Sequence, residues 1–564
     1  MKIVIIGGVA GGASAAARLR RLDENAEIII LERGEYISYA NCGLPYYIGG
    51  EITEKTALTL QTPQSFLSRF RIDVRTFSEA VSINRDKKTV SVKRVNEGSF
   101  YEESYDKLIL SPGAEPVRPP IKGIDNERIF TLRNIPDTLK IDEFIKSKKP
   151  KTAVVVGGGY IGVEMAENLI KAGLAVTIIE MAQHLIAPID VDTACDVQGY
   201  LATKGVKVIL NNAVTEFEPD DTSLTIKLKD GSVVADMVIM SVGVRPDSSL
   251  AEKAGLKLNN KGAIITDDHM LTSDADIYAV GDAVEVKNFV TDEDDFIPLA
   301  GPANKQGRIA ADNICGLDRA YKGTQGTAIL KVFDMTVAAT GINEKKAKSL
   351  GLDYDKVFLF SGSHAGYYPG ATFMSIKVIY ENKSGRLLGA QIVGYDGVDK
   401  RCDVFAAAIR AKMTAYDLTE LEHAYAPPFS SAKDPVNMAG FVIENILTGK
   451  VSQYHWHDVE GLQHTEGITL LDVRTDFEYS RGHIENTVHI PLDSLRERIN
   501  ELDNSKPVYV NCQSGLRSYI ACRILSQKGF KCYNLAGGYR LYNSVMKNAG
   551  FDCSPKHPCG AEKK

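Results

Sequence analysis

Long apolar runs are missing from this chain: no stretch approaches the roughly 18 residues that a membrane span requires. The opening MKIVIIGG lacks the length and the small-residue cleavage site of a secretory signal, and reads instead as a buried parallel strand. Cysteine is scarce, nine in 564 residues, which excludes a disulfide-stapled framework. An excess of positive charge is also lacking. At a net charge of −6 the chain has no basic footprint for nucleic acid. These absences predict a cytoplasmic protein whose cysteines stay reduced or do chemistry, with neither membrane nor nucleic acid among its partners. What remains is ordinary globular composition, 44% hydrophobic and 24% charged. At about 150 residues per domain, this length predicts several domains.

Two strand–turn–helix openings are present. In KTAVVVGGGYIGVEMAENLIKAG, Gly157, Gly159 and Gly162 form a full G-x-G-x-x-G. The first glycine permits the turn, the second lets a pyrophosphate approach the backbone, and the third lets helix and strand pack. Glu180 ends the next apolar strand, where a carboxylate binds a ribose 2'-hydroxyl and repels a 2'-phosphate. That favours NADH over NADPH. The first opening, KIVIIGGVAGGASAAARLRRL, keeps Gly7, Gly8 and Gly12 but has Val9 at the middle position. Glu32, followed by Arg33, restores the pattern. Two cradles predict two dinucleotides, a hydride donor and a bound flavin. Asp282, at the end of TSDADIYAVGDA, is placed to hold the flavin's ribityl or phosphate region; the plainer reading is a turn aspartate.

The order of glycine cradle, single cysteine, second cradle and YAVGD resembles the two-dinucleotide flavoprotein disulfide reductases, over residues 1 to about 450. SYANCGLPYYIGG from Ser38, HAGYYPG and HAYAPPFSSAKDPVNMAG are most similar to the coenzyme A disulfide reductase subgroup. Disulfide reductases usually carry a second cysteine five positions after the first, and here Tyr47 stands in that place. The resemblance implies an α/β protein with doubly wound FAD-binding (1–150 and 266–324) and NAD-binding (151–265) domains. An α+β dimerisation domain (325–450) and a homodimer follow. It implies bound FAD, NAD(P)H as donor, with NADH favoured by Glu180, and coenzyme A persulfide, coenzyme A disulfide or polysulfide as substrate. Cys42 is then the redox thiol. A thiolate attacks one sulfur of a disulfide or persulfide and holds the carrier as a mixed disulfide, so the substrate supplies the second sulfur. In the family two tyrosines reach this thiol from the partner subunit, and they match Tyr367 and Tyr425. The family's coenzyme A contacts map onto Ser14, Arg18, Arg21, Ser38, Asn41 and Lys433, with threonine and glutamine in the family where this chain has Ser14 and Arg18. The plainer reading of Arg18, Arg20 and Arg21 is a solvated helix face.

TGKVSQYHWHDVEG has no period and reads as a linker over 451–463. Beyond it, LLDVRTDFEYSRGHIENTVHIPL, NCQSGLRS and LAGGYR resemble a small α/β rhodanese domain over 464–552, with a tail at 553–564. Cys512 ends a strand in a loop whose N–H groups can surround a sulfur, and Arg517 adds positive charge there. Cys512 is the expected carrier of a persulfide. His455 and His457 lack the further ligands of a metal site, and no metal is expected. Cys402, Cys522 and Cys532 read as small core residues, and Cys553 and Cys559 as tail cysteines. Two other functions compete. An NADH oxidase or peroxidase cycles its single cysteine through sulfenic acid, but the peroxidase pattern has a histidine where Ala10 stands. A low-turnover sulfur carrier or redox sensor would use the rhodanese for docking.

Overall fold

The computed structural model describes residues 1–547, and of Lys547 the backbone alone. Cys553 and Cys559 lie outside the described residues. The chain divides into two compact units, Met1–Ala182 with Ile209–Gly326, and Gln183–Val208 with Thr327 onward.

In the first unit, apolar runs without alternation become parallel strands covered on both faces. Five strands lie in the order Ile277–Ala279, Lys107–Leu110, Lys2–Ile6, Glu27–Leu31 and Asp73–Arg75, with parallel pairing throughout. Gly7, Glu32 and Asp282 therefore follow the carboxyl ends of strands in one sheet, the edge where such sheets bind ligands. A second sheet has Ala175–Ile179, Thr152–Val156, Met237–Met240 and Ile129–Thr131 in parallel register, which sets Gly157 and Glu180 at its carboxyl edge. The helices Ala10–Leu22 and Ala300–Ile314 touch so closely that a Cβ on Gly307 would collide with the Gly11 carbonyl. Arg20, expected on a solvated face, is buried instead. Its guanidinium donates to the carbonyls of Asp23, Glu24, Ala26, Phe70 and Arg71, which offsets the cost of burying it.

The second unit is built on an antiparallel sheet, Ala328–Val332, Met335–Gly341, Leu387–Gly394, Phe373–Glu381 and Tyr354–Gly362 in that order. The helix Val191–Thr203, from the stretch expected in the NAD-binding domain, packs in this unit. Lys377, on Phe373–Glu381, is 1% exposed and donates to Asp192 at 2.8 Å and Glu344 at 2.9 Å, with Asp190 at 3.0 Å. Buried beside Lys377 and Lys356, the Glu344 carboxyl is held far below the usual carboxylate range. Removing one partner from such a buried cluster costs about 3–5 kcal/mol.

The expected linker is not one. Ser452–Tyr454 pairs in parallel with Cys532–Leu535, and is the first strand of a five-stranded parallel sheet completed by Val508–Asn511, Thr469–Asp472 and Val488–His489. A three-residue strand is too short to show a period, which is why the sequence hides it. The same stretch fastens the small sheet to the larger one. Gln453 Nε2 donates to Asp355 at 2.9 Å, His455 Nε2 lies 3.2 Å from Asp355, and Trp456 Nε1 donates to Asp192 at 3.4 Å. From the last described helix, Ser544 Oγ donates to Asp196 at 2.9 Å.

Candidate active site

The two cradles follow one plan. Gly7 and Gly157 have φ of +98° and +102°, a region open to glycine at no steric cost. A Cβ on Gly12 would strike the Gly7 carbonyl, and one on Gly162 the Gly157 carbonyl. Around Gly159 the space that a Cβ would occupy is open to 4 Å, so a ligand has free access to its backbone. The helices that follow start after Val9 and Gly159 with no side-chain cap, leaving their leading N–H groups for an anion. Each acid is fixed by two amides. Glu32 accepts from Gly8 at 3.2 Å and Gly34 at 2.9 Å, and Glu180 from Gly158 at 2.6 Å and Ala182 at 2.7 Å. Close-approach glycines, uncapped amides and an oriented carboxylate fit one dinucleotide at each cradle. Asp282 follows the strand Ile277–Ala279, and burial pushes its carboxyl above the usual range. Arg33 is exposed and pairs with Asp247 at 3.1 Å and Glu115 at 3.3 Å.

Cys42 lies in the single turn Asn41–Gly43, ahead of the helix Leu44–Ile48. Among the described residues it is the one exposed cysteine. Partial burial, then the carboxylates of Glu164 and Asp282, push its thiol up. Glu164 was not singled out from the sequence. It stands two residues past Gly162 on the second cradle's helix, where Tyr46, four residues past Cys42, donates to it at 3.3 Å. Burial pushes the Glu164 carboxyl up to about 7, against the pull of the Tyr46 hydrogen bond. The spacing of Tyr46 from Cys42 was visible in the sequence, but its partner lies 118 residues away and no local pattern points to it.

Of the residues mapped to coenzyme A, Ser14 and Arg18 sit on the first cradle's helix. Ser14 Oγ donates to Asn304, and Arg18 Nε donates to Asp312 at 2.6 Å. Arg21 and Asn41 are exposed. Ser38 has φ +45° and donates its N–H to the Gly8 carbonyl at 2.7 Å, which ties the loop before Cys42 to the cradle. Lys433 is exposed in the second unit. There the Tyr367 and Tyr425 hydroxyls meet at 3.1 Å, with side chains largely in solvent. Their loops are braced from below: Ala365 N donates to Ser430 O at 3.1 Å, and the buried Arg401 donates to Ser363 O at 3.0 Å and to Asp434 at 2.9 Å. The structure thus brings the two tyrosines together, on a pair of loops that also carries Lys433.

Cys512 follows the strand Val508–Asn511 and is fully buried. Its Sγ accepts from Gly515 N at 3.2 Å and from Ser518 Oγ at 3.3 Å. Gly515 has φ +95°, which turns its N–H back onto the sulfur. Arg517 forms a two-pronged pair with Glu478 at 2.7 and 2.8 Å, so its charge is shared with a carboxylate rather than given to the sulfur alone. Ser518 was overlooked in the sequence, although it stands in the quoted NCQSGLRS. His455 and His457 pair with Asp355 and Asp458 respectively.

Residues 1–307 match the pyridine nucleotide-disulphide oxidoreductase family, 327–435 its dimerisation domain, and 455–544 the rhodanese-like domain. Coenzyme A disulfide reductase of Staphylococcus aureus is 38% identical over 442 residues, 78% of this chain and 99% of that protein. The structure of reduced CoADR-RHD from Bacillus anthracis is similar at a TM-score of 0.95 and 50% identity, covering 97% of this chain and 98% of that one. An NAD-dependent persulfide reductase from A. fulgidus superimposes at 0.89 with 40% identity, covering 97% of this chain and 100% of that one.

Proposed function

The chain belongs to the pyridine nucleotide-disulphide oxidoreductase family, and from that premise we propose that it is an NADH-dependent reductase of coenzyme A persulfide, polysulfide or disulfide carrying its own sulfurtransferase. The observation that carries this reading is Cys42: one exposed thiol directly after a flavin-type cradle, with no second cysteine beside it. The flavin portion comprises 1–150 and 266–324, the nicotinamide portion 151–265, and the dimerisation portion 325–450. The rhodanese begins at Ser452. Its partner is a second copy of the chain.

Gly7, Gly8, Gly12, Glu32, Arg33 and Asp282 hold FAD, and Gly157, Gly159, Gly162 and Glu180 hold NADH. Bound FAD supplies an electron pair that NADH provides as hydride. The rest falls to the protein. The Cys42 thiolate attacks the sulfur of coenzyme A persulfide that is bonded to carbon; the S–S bond breaks, hydrosulfide leaves, and a Cys42–coenzyme A disulfide remains. With coenzyme A disulfide the leaving group is the thiolate. Two electrons and one proton then restore the Cys42 thiolate and release coenzyme A thiol. Tyr367 and Tyr425, from the second copy, donate to the leaving sulfur. Ser14, Arg18, Arg21, Ser38, Asn41 and Lys433 bind the coenzyme. Cys512 accepts sulfane sulfur from donors too bulky for Cys42, and the N–H of Gly515 and the hydroxyl of Ser518 stabilise the sulfur it carries. The oxidase reading is less favoured, because Ala10 stands where the peroxidase pattern has histidine and a rhodanese has no part in oxygen reduction.

Anaerobic NADH oxidation, measured with each of the three sulfur substrates and compared with oxygen alone, tests the proposal. Turnover should require a sulfur substrate, and kcat/KM should be higher for NADH than for NADPH. Equal NADH consumption with oxygen alone would transfer the reading to an oxidase.

A further inference from the structure

The sulfur of Cys512 is served by a hydroxyl that has a choice. Ser518 Oγ carries one proton and has two acceptors in reach, Cys512 Sγ at 3.3 Å and the Gly515 carbonyl at 3.2 Å. A serine on a helix ordinarily takes the second, because the carbonyl one turn back lies beside its side chain. Ser518 stands third in the helix Leu516–Gln527 and is fully buried, so solvent does not compete for its proton. What decides the choice is how much of the Gly515 carbonyl is left. A carbonyl oxygen has two lone pairs. One accepts the helical N–H of Tyr519 at 3.1 Å. The other accepts Asn534 Nδ2 at 3.2 Å. Asn534 comes from a different element, the strand Cys532–Leu535, and pairs in parallel register with Val510 on the strand that leads into Cys512. Cross-strand partners share a face of the sheet, which puts Asn534 on the face that carries Val510 and Cys512. The other end of the amide shows why an asparagine stands here. Asn534 Oδ1 is buried with no hydrogen-bond partner among the described residues. A buried acceptor without a partner is a cost that an apolar side chain of the same size avoids. The bond from Asn534 Nδ2 to the Gly515 carbonyl is what offsets it.

We propose that Asn534 is a positioning residue for the sulfur chemistry at Cys512: by filling the second lone pair of the Gly515 carbonyl, it turns the Ser518 proton onto the Cys512 sulfur and so stabilises the thiolate that accepts sulfane sulfur. The inference rests on Cys512 as the sulfur carrier and refines that reading. With inorganic polysulfide as donor, the Cys512 thiolate bonds to the terminal sulfur and the adjoining S–S bond breaks. A polysulfide dianion one sulfur shorter leaves, and Cys512 carries a persulfide anion, with charge and electrons conserved. Cyanide takes the outer sulfur as thiocyanate and returns the thiolate. In the first step the cysteine sulfur attacks as an anion, and in the second it leaves as one. A hydrogen bond to the anionic form favours it. Asn534 acts only through the Gly515 carbonyl and the Ser518 hydroxyl. Without its N–H, one lone pair of the Gly515 carbonyl opens, the Ser518 hydroxyl turns back to it, and of the two donors the sulfur keeps the Gly515 N–H at 3.2 Å.

The test uses the full-length, flavin-loaded chain, reduced, desalted and mixed anaerobically with inorganic polysulfide for timed intervals across a pH series. Each sample is quenched in denaturing iodoacetamide and digested with trypsin. The persulfide on peptide 499–517, whose one cysteine is Cys512, is then measured by mass spectrometry. Dividing each variant's loading rate by that of wild type at the same pH cancels the speciation of the donor. For Asn534→Leu the ratio should be about one tenth at the acidic end and approach one at the alkaline end, the signature of a thiol midpoint raised by about one pH unit. Asn534→Asp is closest in shape and cannot donate as a carboxylate. It should move the midpoint in the same direction, and it carries the test if the leucine disturbs folding. Ser518→Ala should reproduce the Asn534→Leu profile. The double variant should be no slower than either single one, because both changes take the same proton from the sulfur. A ratio lowered equally at every pH overturns the proposal, since it marks a loosened loop and not a thiolate effect. So do losses that multiply in the double variant. An unchanged ratio in the Asn534 variants, with normal loading of wild type, removes Asn534 and leaves Cys512 in place. Absence of the Cys512 persulfide in wild type removes Cys512 as the carrier, and the role of Asn534 with it.

Discussion

Cys42 and Cys512, the two sulfurs proposed as nucleophiles, both lie beside glycines in short turns, yet their surroundings are opposite. Cys512 is fully buried, and two donors already point at its sulfur. Cys42 is exposed, and the groups that act on its charge, Glu164 and Asp282, are carboxylates that oppose a thiolate. The rhodanese loop is a finished anion site made from one short stretch of chain and the helix that follows it. Partial burial and then two carboxylates push the Cys42 thiol up, so its surroundings in the chain alone disfavour the thiolate. A sulfur that hands on a sulfane atom unaided needs its cradle built in. A sulfur that receives electrons from a cofactor is tuned by what binds there.

The largest effect expected from breaking this contrast is at Cys42. Cys42→Ser should lower kcat for coenzyme A disulfide and persulfide by more than about 10³-fold, as removal of a nucleophile does. Flavin reduction by NADH in stopped flow should continue at close to the wild-type rate. Disulfide turnover within tenfold of wild type would remove Cys42 from the mechanism.

Cys512→Ser should behave the other way round. Sulfide production from donors too large for the flavin site should fall by about 10²-fold or more, while reduction of preformed coenzyme A persulfide stays within about twofold, a difference below about 0.5 kcal/mol. An equal loss on both substrates would mean that Cys512 takes part in the reductase step, and no loss on either would make the rhodanese a docking module.

A smaller effect sharpens the electrostatic half of the contrast. Burial pushes the Glu164 carboxyl up to about 7, so above that pH its charge should oppose the Cys42 thiolate and below it the opposition should fade. Glu164→Gln should therefore shift the pH midpoint of Cys42 alkylation by iodoacetamide downward. The rate should rise several-fold at about pH 8, and variant and wild type should converge towards about pH 5.5. An unchanged midpoint would show that the carboxylate does not reach the thiol.

What could be read from the sequence follows a physical division. The cradles at Gly7–Gly12 and Gly157–Gly162, the acids Glu32 and Glu180, the Cys42 loop and the NCQSGLRS loop were all legible, because each is a local arrangement that backbone sterics and short spacings impose. The burial of Arg20 is not legible in the sequence, because a helix period shows which face a residue occupies but not that five carbonyls wait there. The strand Ser452–Tyr454 reads as a linker in the sequence, since three residues carry no period and its pairing partner, Cys532–Leu535, lies about eighty residues on. Glu164 meeting Tyr46, and Lys377 gathering Asp190, Asp192 and Glu344, are contacts between distant segments. The sequence determined the turns, the cradles and the loops that carry Cys42 and Cys512, because those depend on neighbours along the chain. The tertiary structure alone decided which carboxylates burden Cys42 and which donors serve Cys512, because charge and hydrogen bonding act through space over a few ångströms, whatever the separation in sequence.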